Sequence, residues 1–429
     1  MKLSRYSKIY PSPEGPDSVI LFSTKRASAV LVPRGLLADI EAGRLSVEEQ
    51  SELAELGFLA AGEKEERQEL LSYIQDLNSL DRSMKFIVVM NLDCNLACRY
   101  CFEGIRKGKH YLSEEVAGRF VDFVKTRDYA NKDEIKIAFY GGEPLLSVDR
   151  IAGISEQIKT FAEGRGLRYV FSLVTNGVLL TQQNVKRLLP LGLRSAKVTL
   201  DGPKDIHDAF RPFKNGAGSF DTILRNVEDV SGLIRVQIGG NFTRDNYREF
   251  PRLLGLLMEK GLGPDRIAAI KFDPVVNESS EFALPDFHDG CASMDEPWVA
   301  GASLLLREEV LKRGYQTPKI MPSPCLMEHD DSFVVNHDGV LYKCPGLIGR
   351  QACRTGDLSA GPGECRLTHG LDDWKNDECL ACSYLPICFG GCKYLKIVRE
   401  NSMRGVNCQK AYFDGTLETL VSQDVRYGL

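Results

Sequence analysis

Residues 86–102 read FIVVMNLDCNLACRYCF, and the rest of the chain is best understood outward from them. Residues 86–92 are apolar and rich in β-branched side chains, as expected of a strand buried on both faces. They run directly into Cys94-x3-Cys98-x2-Cys101, three thiols within eight residues of one loop. Three thiolates bind three irons of a [4Fe–4S] cube and leave the fourth open to another ligand. A closed structural zinc site uses four protein ligands. The spacing therefore points to iron and sulfur ahead of zinc or inert buried thiols.

Downstream the strand-and-loop unit repeats. Strands are expected at residues 135–140, 169–175, 196–200, 236–242 and 267–272. Between them Val116/Phe120/Val124, Ile151/Ile154/Ile158/Phe161, Val185/Leu188/Leu189, Ile223/Leu224/Val227 and Leu253/Leu254/Leu257 recur at the helical period. Six such units predict an α/β fold with a parallel sheet and outer helices, either an open wound sheet or a partial barrel. In both, ligands gather at the carboxyl ends of the strands.

Upstream, residues 18–23 and 27–32 read as the two strands of a hairpin. Pro33 opens a helix through Leu36, Leu37 and Ile40, and Ser46-Val47-Glu48-Glu49 is a capping box whose helix Gly57 stops. A hairpin followed by short helices suggests a winged-helix-like module, with a plain N-terminal extension as the alternative. A charged helix over residues 63–80 connects it to the first strand. Beyond about residue 315 the periodicity fades while Gly, Pro and Cys become frequent, and the cysteines are the obvious staples there.

Composition narrows the class. A chain of 429 residues predicts two or three domains, and 43% hydrophobic residues suffice for a sizeable core. A net charge of −5 gives no general reason to expect nucleic acid or an anionic membrane as partner. No apolar run is long enough to cross a bilayer, and the start, MKLSRYSKIYPSPEG, has no apolar signal region. These features predict a cytoplasmic protein. Thirteen cysteines in such a chain argue for metal ligation or redox chemistry over disulfides.

The segment CNLACRYCF, with Tyr100 before the third cysteine and Phe102 after it, resembles the signature of the radical S-adenosylmethionine (SAM) enzymes. In that family the open iron is chelated by the amino and carboxylate groups of SAM. Gly141-Gly142-Glu143, after the second strand, is similar to the GGE motif that receives the methionine amino group. Thr175-Asn176-Gly177 ends the third strand and Thr199-Leu200-Asp201-Gly202 the fourth. Arg211 follows at the distance seen between a ribose-contacting hydroxyl and a carboxylate-binding arginine. Each short match alone is only a turn or a surface residue; their order on successive strand ends is what carries the resemblance.

A second constellation lies near the C-terminus: Cys325-x13-Gly339-x4-Cys344, then Cys379-x2-Cys382-x5-Cys388-x3-Cys392, and Cys408. Paired cysteines often mean zinc, but seven do not divide into whole four-ligand sites. The pattern is similar to the SPASM domain, which holds two auxiliary [4Fe–4S] clusters. The resemblance assigns Cys379, Cys382, Cys388 and Cys408 to a distal cluster, and Cys325, Cys344 and Cys392 to a proximal one. The fourth proximal ligand is open: Cys353, Cys365, His329, Asp330 or a substrate thiolate. Cys291, Cys353 and Cys365 otherwise read as buried small hydrophobes.

Together these resemblances imply a partial (β/α)6 TIM-like barrel at 81–314, a winged-helix-like leader-peptide recognition module at 1–80 and a SPASM domain at 315–429. They imply three [4Fe–4S] clusters, SAM, and a flavodoxin or ferredoxin as electron donor. A 5′-deoxyadenosyl radical would take a hydrogen atom from a ribosomally made precursor peptide, which the N-terminal module captures as an added strand. The leading product is an intramolecular Cys thioether, as in geopeptide-type maturases. Formylglycine formation by a sulfatase-maturase type is disfavoured because Pro345 replaces that group's basic Asp. Carbon–carbon bond formation or peptide decarboxylation is a further alternative, and a zinc-stapled binding scaffold the non-enzyme one. Asp273, after the sixth strand, is the weak candidate for a catalytic base.

Overall fold

The computed structural model describes residues 1–277, 289–322 and 324–429. Strands β1 (Lys2–Leu3), β2 (Ser7–Pro11), β3 (Ser18–Ser23) and β4 (Ala29–Pro33) open the chain. Helices α1 (Arg34–Glu41) and α2 (Val47–Glu55) and the short β5 (Leu59–Ala60) follow. Strands β2, β3 and β4 form one antiparallel sheet in that order, and β5 pairs with β1. Pro33, with φ −58°, supplies the turn into α1. At α2 the Ser46 side chain accepts the Glu49 N–H while the Glu49 carboxylate accepts the Ser46 N–H, the reciprocal cap read from the sequence.

β3 is buried on both faces. Val19 and Leu21 pack against Ile40, Leu53 and Phe58 of its own unit. Ile20 and Phe22 pack against Tyr384, Leu417 and Val421 from the far end of the chain. Helix α3 (Glu63–Leu80) then leads into the main sheet.

Six strands follow in sequence: β6 (Ser83–Val89), β7 (Glu134–Tyr140), β8 (Arg168–Thr175), β9 (Leu193–Thr199), β10 (Arg235–Phe242) and β11 (Ile267–Pro274). All neighbours are parallel and in chain order. The helices α4 (Glu114–Lys125), α5 (Val148–Gly164), α6 (Gln182–Leu188), α7 (Lys204–Phe210), α8 (Phe220–Val230) and α9 (Phe250–Glu259) fill the connections, α7 and α8 sharing the one between β9 and β10. Each strand sends alternate residues to that outer layer: on β9, Ala196 and Val198 join the main core while Lys197 and Thr199 face the inner side. The sheet is the partial barrel of an α/β fold, with a mixed inner face that carries Lys197 and Thr199 as well as Val89, Tyr140 and Val174.

Helix α10 (Pro297–Lys312) comes next. Then β12 (Ser332–Val335) pairs in parallel with β6 on the side opposite β7. Strands β13 (Val340–Tyr342), β14 (Gly356–Asp357) and β15 (Gly361–Pro362) continue the sheet antiparallel. The sheet thus runs on beyond residue 315, where the sequence periodicity fades, because Phe333 and Val335 of β12 add to the main core. Helices α11 (Asp377–Leu380), α12 (Leu385–Cys388), α13 (Lys393–Glu400) and α14 (Lys410–Tyr427) close the chain. α14 is tied to α10 where Arg307 Nη1 donates to Gln423 Oε1 at 2.9 Å and Nη2 pairs with Asp424. Among the described residues no helix is long and apolar enough to cross a membrane.

Candidate active site

The loop after β6 and the loop after β7 are built as one piece. The Gly142 N–H donates to Asn91 O at 3.0 Å and the Glu143 N–H to Asp93 O at 2.8 Å. Asn91 Nδ2 in turn donates to Glu143 O at 2.9 Å. A Cβ on Gly141, whose φ is +142°, would lie 2.4 Å from Asn91 O, and one on Gly142 would lie 2.1 Å from Asp93 O. Both glycines are thus required by the chain's own backbone just before Cys94. Gly142→Ala is expected to displace the Cys94–Cys101 loop. The check is iron content after anaerobic reconstitution, which should drop while the circular dichroism of the fold persists.

A cavity of about 510 Å³ opens at the carboxyl ends of the strands, walled by Cys94, Cys98 and Cys101. Of the residues singled out in the sequence, Tyr100, Phe102, Gly141, Gly142, Thr175, Asn176, Thr199 and Arg211 also line it. So do Cys344, Pro345 and Cys392 from the C-terminal region. Two others stand behind the wall. Glu143 is fully buried, and its carboxylate accepts from Leu145 N–H, Asn176 N–H and the Thr175 hydroxyl at 2.8–3.0 Å. It holds the Thr175–Gly177 turn in place. Asp201 is fully buried too and works through Tyr100.

The Tyr100 hydroxyl is the hub. It donates to Asp201 Oδ2 and accepts from Arg211 Nη1 at 2.6 Å and Asn241 Nδ2 at 2.9 Å. Burial works against the Arg211 charge, but Cys98, Tyr100 and Asp201 outweigh it and hold its pKa well above the ordinary value. Burial lifts the Asp201 carboxyl, opposed by Arg211 and the Tyr100 hydrogen bond. Behind the hub, burial keeps His207 neutral. Its Nδ1 accepts the Asp201 N–H at 3.2 Å, its Nε2 meets Ser219 Oγ at 3.1 Å, and that hydroxyl donates to Arg211 O at 2.6 Å. Arg211 Nε is buried without a hydrogen-bond partner.

Sequence reading missed several wall residues: Glu103, Lys107, Tyr140, Lys197, Asn241 and Tyr394. Burial pushes Glu103 up to about 7, and its Oε2 has no partner. Burial lowers Lys107, but the thiols of Cys101, Cys94 and Cys98 together raise it above its usual value. Cys101 is pushed up to about 12 by burial, with Lys107 as the main opposing charge. The lysine therefore favours the thiolate that ligation needs.

All thirteen cysteines are free thiols. Cys379, Cys382, Cys388 and Cys408 line a second cavity of about 390 Å³ together with Tyr384 and Lys410. Cys325, Cys344 and Cys392 are close enough that the charge of Cys392 bears on Cys325 and those of Cys325 and Cys392 bear on Cys344. Burial pushes Cys344 up to about 12. Of the other candidates for the fourth proximal ligand, Cys353 and Cys365 belong to the buried cluster against which Cys325 and Cys344 pack. Cys353 Sγ lies 3.4 Å from Met403 Sδ, His329 faces Asp81 at 3.4 Å, and Asp330 is an exposed partner of Arg366 at 3.6 Å. Cys365 is buried near Lys343. Glu328, unremarked in the sequence, is buried and its charge bears on Cys325. Asp273 pairs with Lys271 at 2.7 Å and is not in the cavity wall, where Pro274, Val275 and Val276 stand instead. Cys291 is buried beside Val276, to which it is bridged.

Residues 88–257 match the family described as the Radical SAM superfamily. Residues 88–257 are thus similar to a radical SAM domain. Fe-coproporphyrin III synthase of Methanosarcina barkeri is 30% identical over 190 residues, 43% of this chain and 44% of that one. The matched stretch thus spans less than half of that relative's length. The cysteine-type anaerobic sulfatase-maturating enzyme of Clostridium novyi is 28% identical over 76% of this chain and 93% of its own. Among solved structures, anSMEcpe with bound AdoMet and Kp18Cys peptide superposes with a TM-score of 0.65 at 21% identity, over 81% of this chain and all of that one. Streptococcus suis SuiB bound to its precursor peptide SuiA gives 0.55 at 13% identity, over 95% and 98%. These two likenesses show a shared α/β fold.

Proposed function

We propose that the radical SAM domain and the C-terminal region act together as a peptide maturase that installs a cross-link, with a Cys thioether as the leading product. The observation that carries this reading is the single cavity shared by Cys94, Cys98 and Cys101 on one wall and Cys344 and Cys392 on another. The residues suit the groups the family uses. Among the described residues no three Cys, His, Asp or Glu side chains converge as around a single ion, whereas thiols spread along a cavity wall leave room for a multi-iron cluster. Arg211, with its buried unpartnered Nε, would hold the SAM carboxylate. The backbone of Gly141 and Gly142 would receive the ammonium, and Thr199 and Asn176 the ribose. When bound, the cluster and SAM supply a carbon radical able to abstract hydrogen from an unactivated carbon.

The chain's own residues place the peptide and keep water away from it. Tyr140, Phe102 and Tyr394 form an aromatic side of the cavity. Cys325, Cys344 and Cys392 would hold a proximal [4Fe–4S] cluster, and the four thiols of the second cavity a distal one, with electrons from a flavodoxin- or ferredoxin-type donor. The N-terminal unit would capture a leader segment as an added strand at an outer edge of its sheet, where Ile9 on β2 and Leu31 on β4 are 44% and 36% exposed. A second reading, formylglycine-type oxidation of a Cys or Ser, is favoured by the match over 93% of the sulfatase-maturating enzyme. Pro345 at the position of that group's base speaks against it.

The test is anaerobic reconstitution followed by incubation with SAM, reductant and a Cys-containing peptide encoded nearby. About twelve irons, 5′-deoxyadenosine and a peptide lighter by one H2 are expected. Cys98→Ala, Cys344→Ala and Cys382→Ala should each lower the iron count by about four, and only the first should abolish 5′-deoxyadenosine entirely. Equal loss of all iron in the three variants, or zinc in place of iron, would refute three independent clusters.

A further inference from the structure

Four lysines share the inner face of the sheet. Register places Lys85 beside Lys136, Val174 beside Lys197, Gln237 beside Lys197, and Gly239 beside both Thr199 and Lys271. Strand alternation then puts all four side chains on the barrel's interior side. Three of them are neutralised by a carboxylate of their own segment: Lys85 by Asp81 at 2.6 Å, Lys136 by Glu134 at 2.7 Å and Lys271 by Asp273 at 2.7 Å. Lys197 has Ser195 and Thr199 at the corresponding positions of its strand. Among the described residues its ammonium has neither a hydrogen-bond nor an ion-pair partner.

Lys197 is also the one of the four that lines the large cavity. Its path there depends on Gly239, where a Cβ would come within 2.7 Å of Lys197 Cε. The glycine on β10 leaves the channel through which the stem passes. The other cations of the wall are already engaged. Lys107 is turned to the Cys94, Cys98 and Cys101 thiols and donates to Leu96 O, and Arg211 to Tyr100 and Asp201. Of the carboxylates nearest the cavity, Glu143 is held by backbone donors and Asp201 by Tyr100 and Asn241, while Glu103, whose Oε2 has no hydrogen-bond partner, has Lys107 and Arg106 as its charged neighbours rather than Lys197. An unmatched ammonium in a half-enclosed cavity is a binding point for an anion, since a partly desolvated charge gains most from an opposite charge hydrogen-bonded to it.

We propose that Lys197, reaching over Gly239 into the cavity, recognises a carboxylate of the substrate peptide, either an acidic side chain beside the modified residue or the peptide's C-terminus. This rests on the peptide-maturase reading and adds a specificity element to it. Lys197 acts by binding and orienting the peptide so that one face of the target carbon is presented; it takes no part in the electron or hydrogen transfers.

The experiment uses the full chain, reconstituted anaerobically, and maps acetylation of Lys197 by an acyl N-hydroxysuccinimide ester with peptide mass spectrometry. Three probes are compared at equal concentration. They are N-acetyl-Asp-amide (side-chain carboxylate), N-acetyl-Asn with a free C-terminus (main-chain carboxylate) and N-acetyl-Asn-amide (none). Roughly tenfold protection by one or both carboxylates over the diamide is expected, a free-energy difference of the size a charged hydrogen bond provides. Which of the two protects identifies the source of the carboxylate. Equal labelling with all three probes overturns the proposal, and so does protection by SAM alone, which would make Lys197 part of the cofactor site. Cys-containing peptides with Asp or Asn at each position then report 5′-deoxyadenosine formation. Wild type should prefer Asp members by roughly tenfold, Lys197→Arg should keep that preference and Lys197→Met should lose it. Carboxylate protection with no peptide-dependent turnover would leave the anion site standing and remove the maturase reading instead.

Discussion

Phe22→Ala is expected to destabilise the whole protein by about 3–5 kcal/mol, the usual cost of emptying a fully buried aromatic site, and not merely to weaken a detachable N-terminal module. Phe22 and Ile20 are completely buried, and the groups they bury against belong to the last part of the chain, Tyr384, Leu417 and Val421. Polar contacts reinforce the junction. Lys8 Nζ donates to Ser383 Oγ at 2.6 Å and stands 4.1 Å from the centre of the Tyr384 ring, and Thr24 Oγ1 donates to Ser383 O at 2.8 Å. Ser383 and Tyr384 are themselves in the wall of the cavity lined by Cys379, Cys382, Cys388 and Cys408. Loosening Phe22 should therefore also lower iron retention at that site. Guanidinium unfolding followed by circular dichroism and by cluster absorbance gives the comparison. Coincident shifts of both signals support one cooperative unit. A separate early transition of the N-terminal residues, with cluster absorbance unmoved, would show an independent module. Leu31→Glu is the control: on the exposed edge of β4 it should cost under about 0.5 kcal/mol and act only on peptide capture.

The parts of the fold that were legible in the sequence are those in which one local pattern met one environment. The six barrel strands were legible because each buries residues on its outer face against an amphipathic helix. The capping box at Ser46 was legible because its two hydrogen bonds are local. Helices α10 and α14 left no stripe to read. α14 buries Thr416, Gln423 and Asp424 beside Leu417, Leu420 and Val421, so the polar residues that should mark its wet side lie inside. β12 is four residues long and takes its place only by pairing with β6, a partner more than two hundred residues away in the chain.

The candidate site divides in the same way. Motif matching found the residues of the cysteine loop and the strand ends, but it could not tell which side chains face the cavity and which support those that do. Glu143 and Asp201 fall in the second group for a physical reason. A carboxylate with no exposure has to be satisfied by donors of the chain itself, and each here has several. Lys197 was within reach of simple parity, since it stands two residues before Thr199 on the same strand. Glu103 and Asn241 carried no such signal, because their relevance comes from which loops and strands are adjacent in space.

Arg211→Met should show both kinds of contribution at once, because Arg211 serves the fold and, by the proposed reading, the cofactor. Its guanidinium lies 3.7 Å from the fully buried Asp201 and donates to the Tyr100 hydroxyl that bridges them. Removing one partner of such a pair strands the other and typically costs about 3–5 kcal/mol. The same change removes the donor intended for the SAM carboxylate, with an expected loss of about 1.5–3 kcal/mol in affinity, or roughly ten- to hundredfold. The two losses separate in the double variant. Asp201→Asn with Arg211→Met has no uncompensated charge left in the wall, so most of the stability should return. The affinity for SAM, measured by equilibrium dialysis, should stay lost. Tyr100→Phe supplies the remaining corner: it keeps both charges but deletes the hydroxyl between them, and should fall between wild type and Arg211→Met in stability. If the double variant regains SAM affinity along with stability, Arg211 holds up the wall and nothing more. If affinity stays low in a restored fold, the Arg211 guanidinium is the group that meets the cofactor.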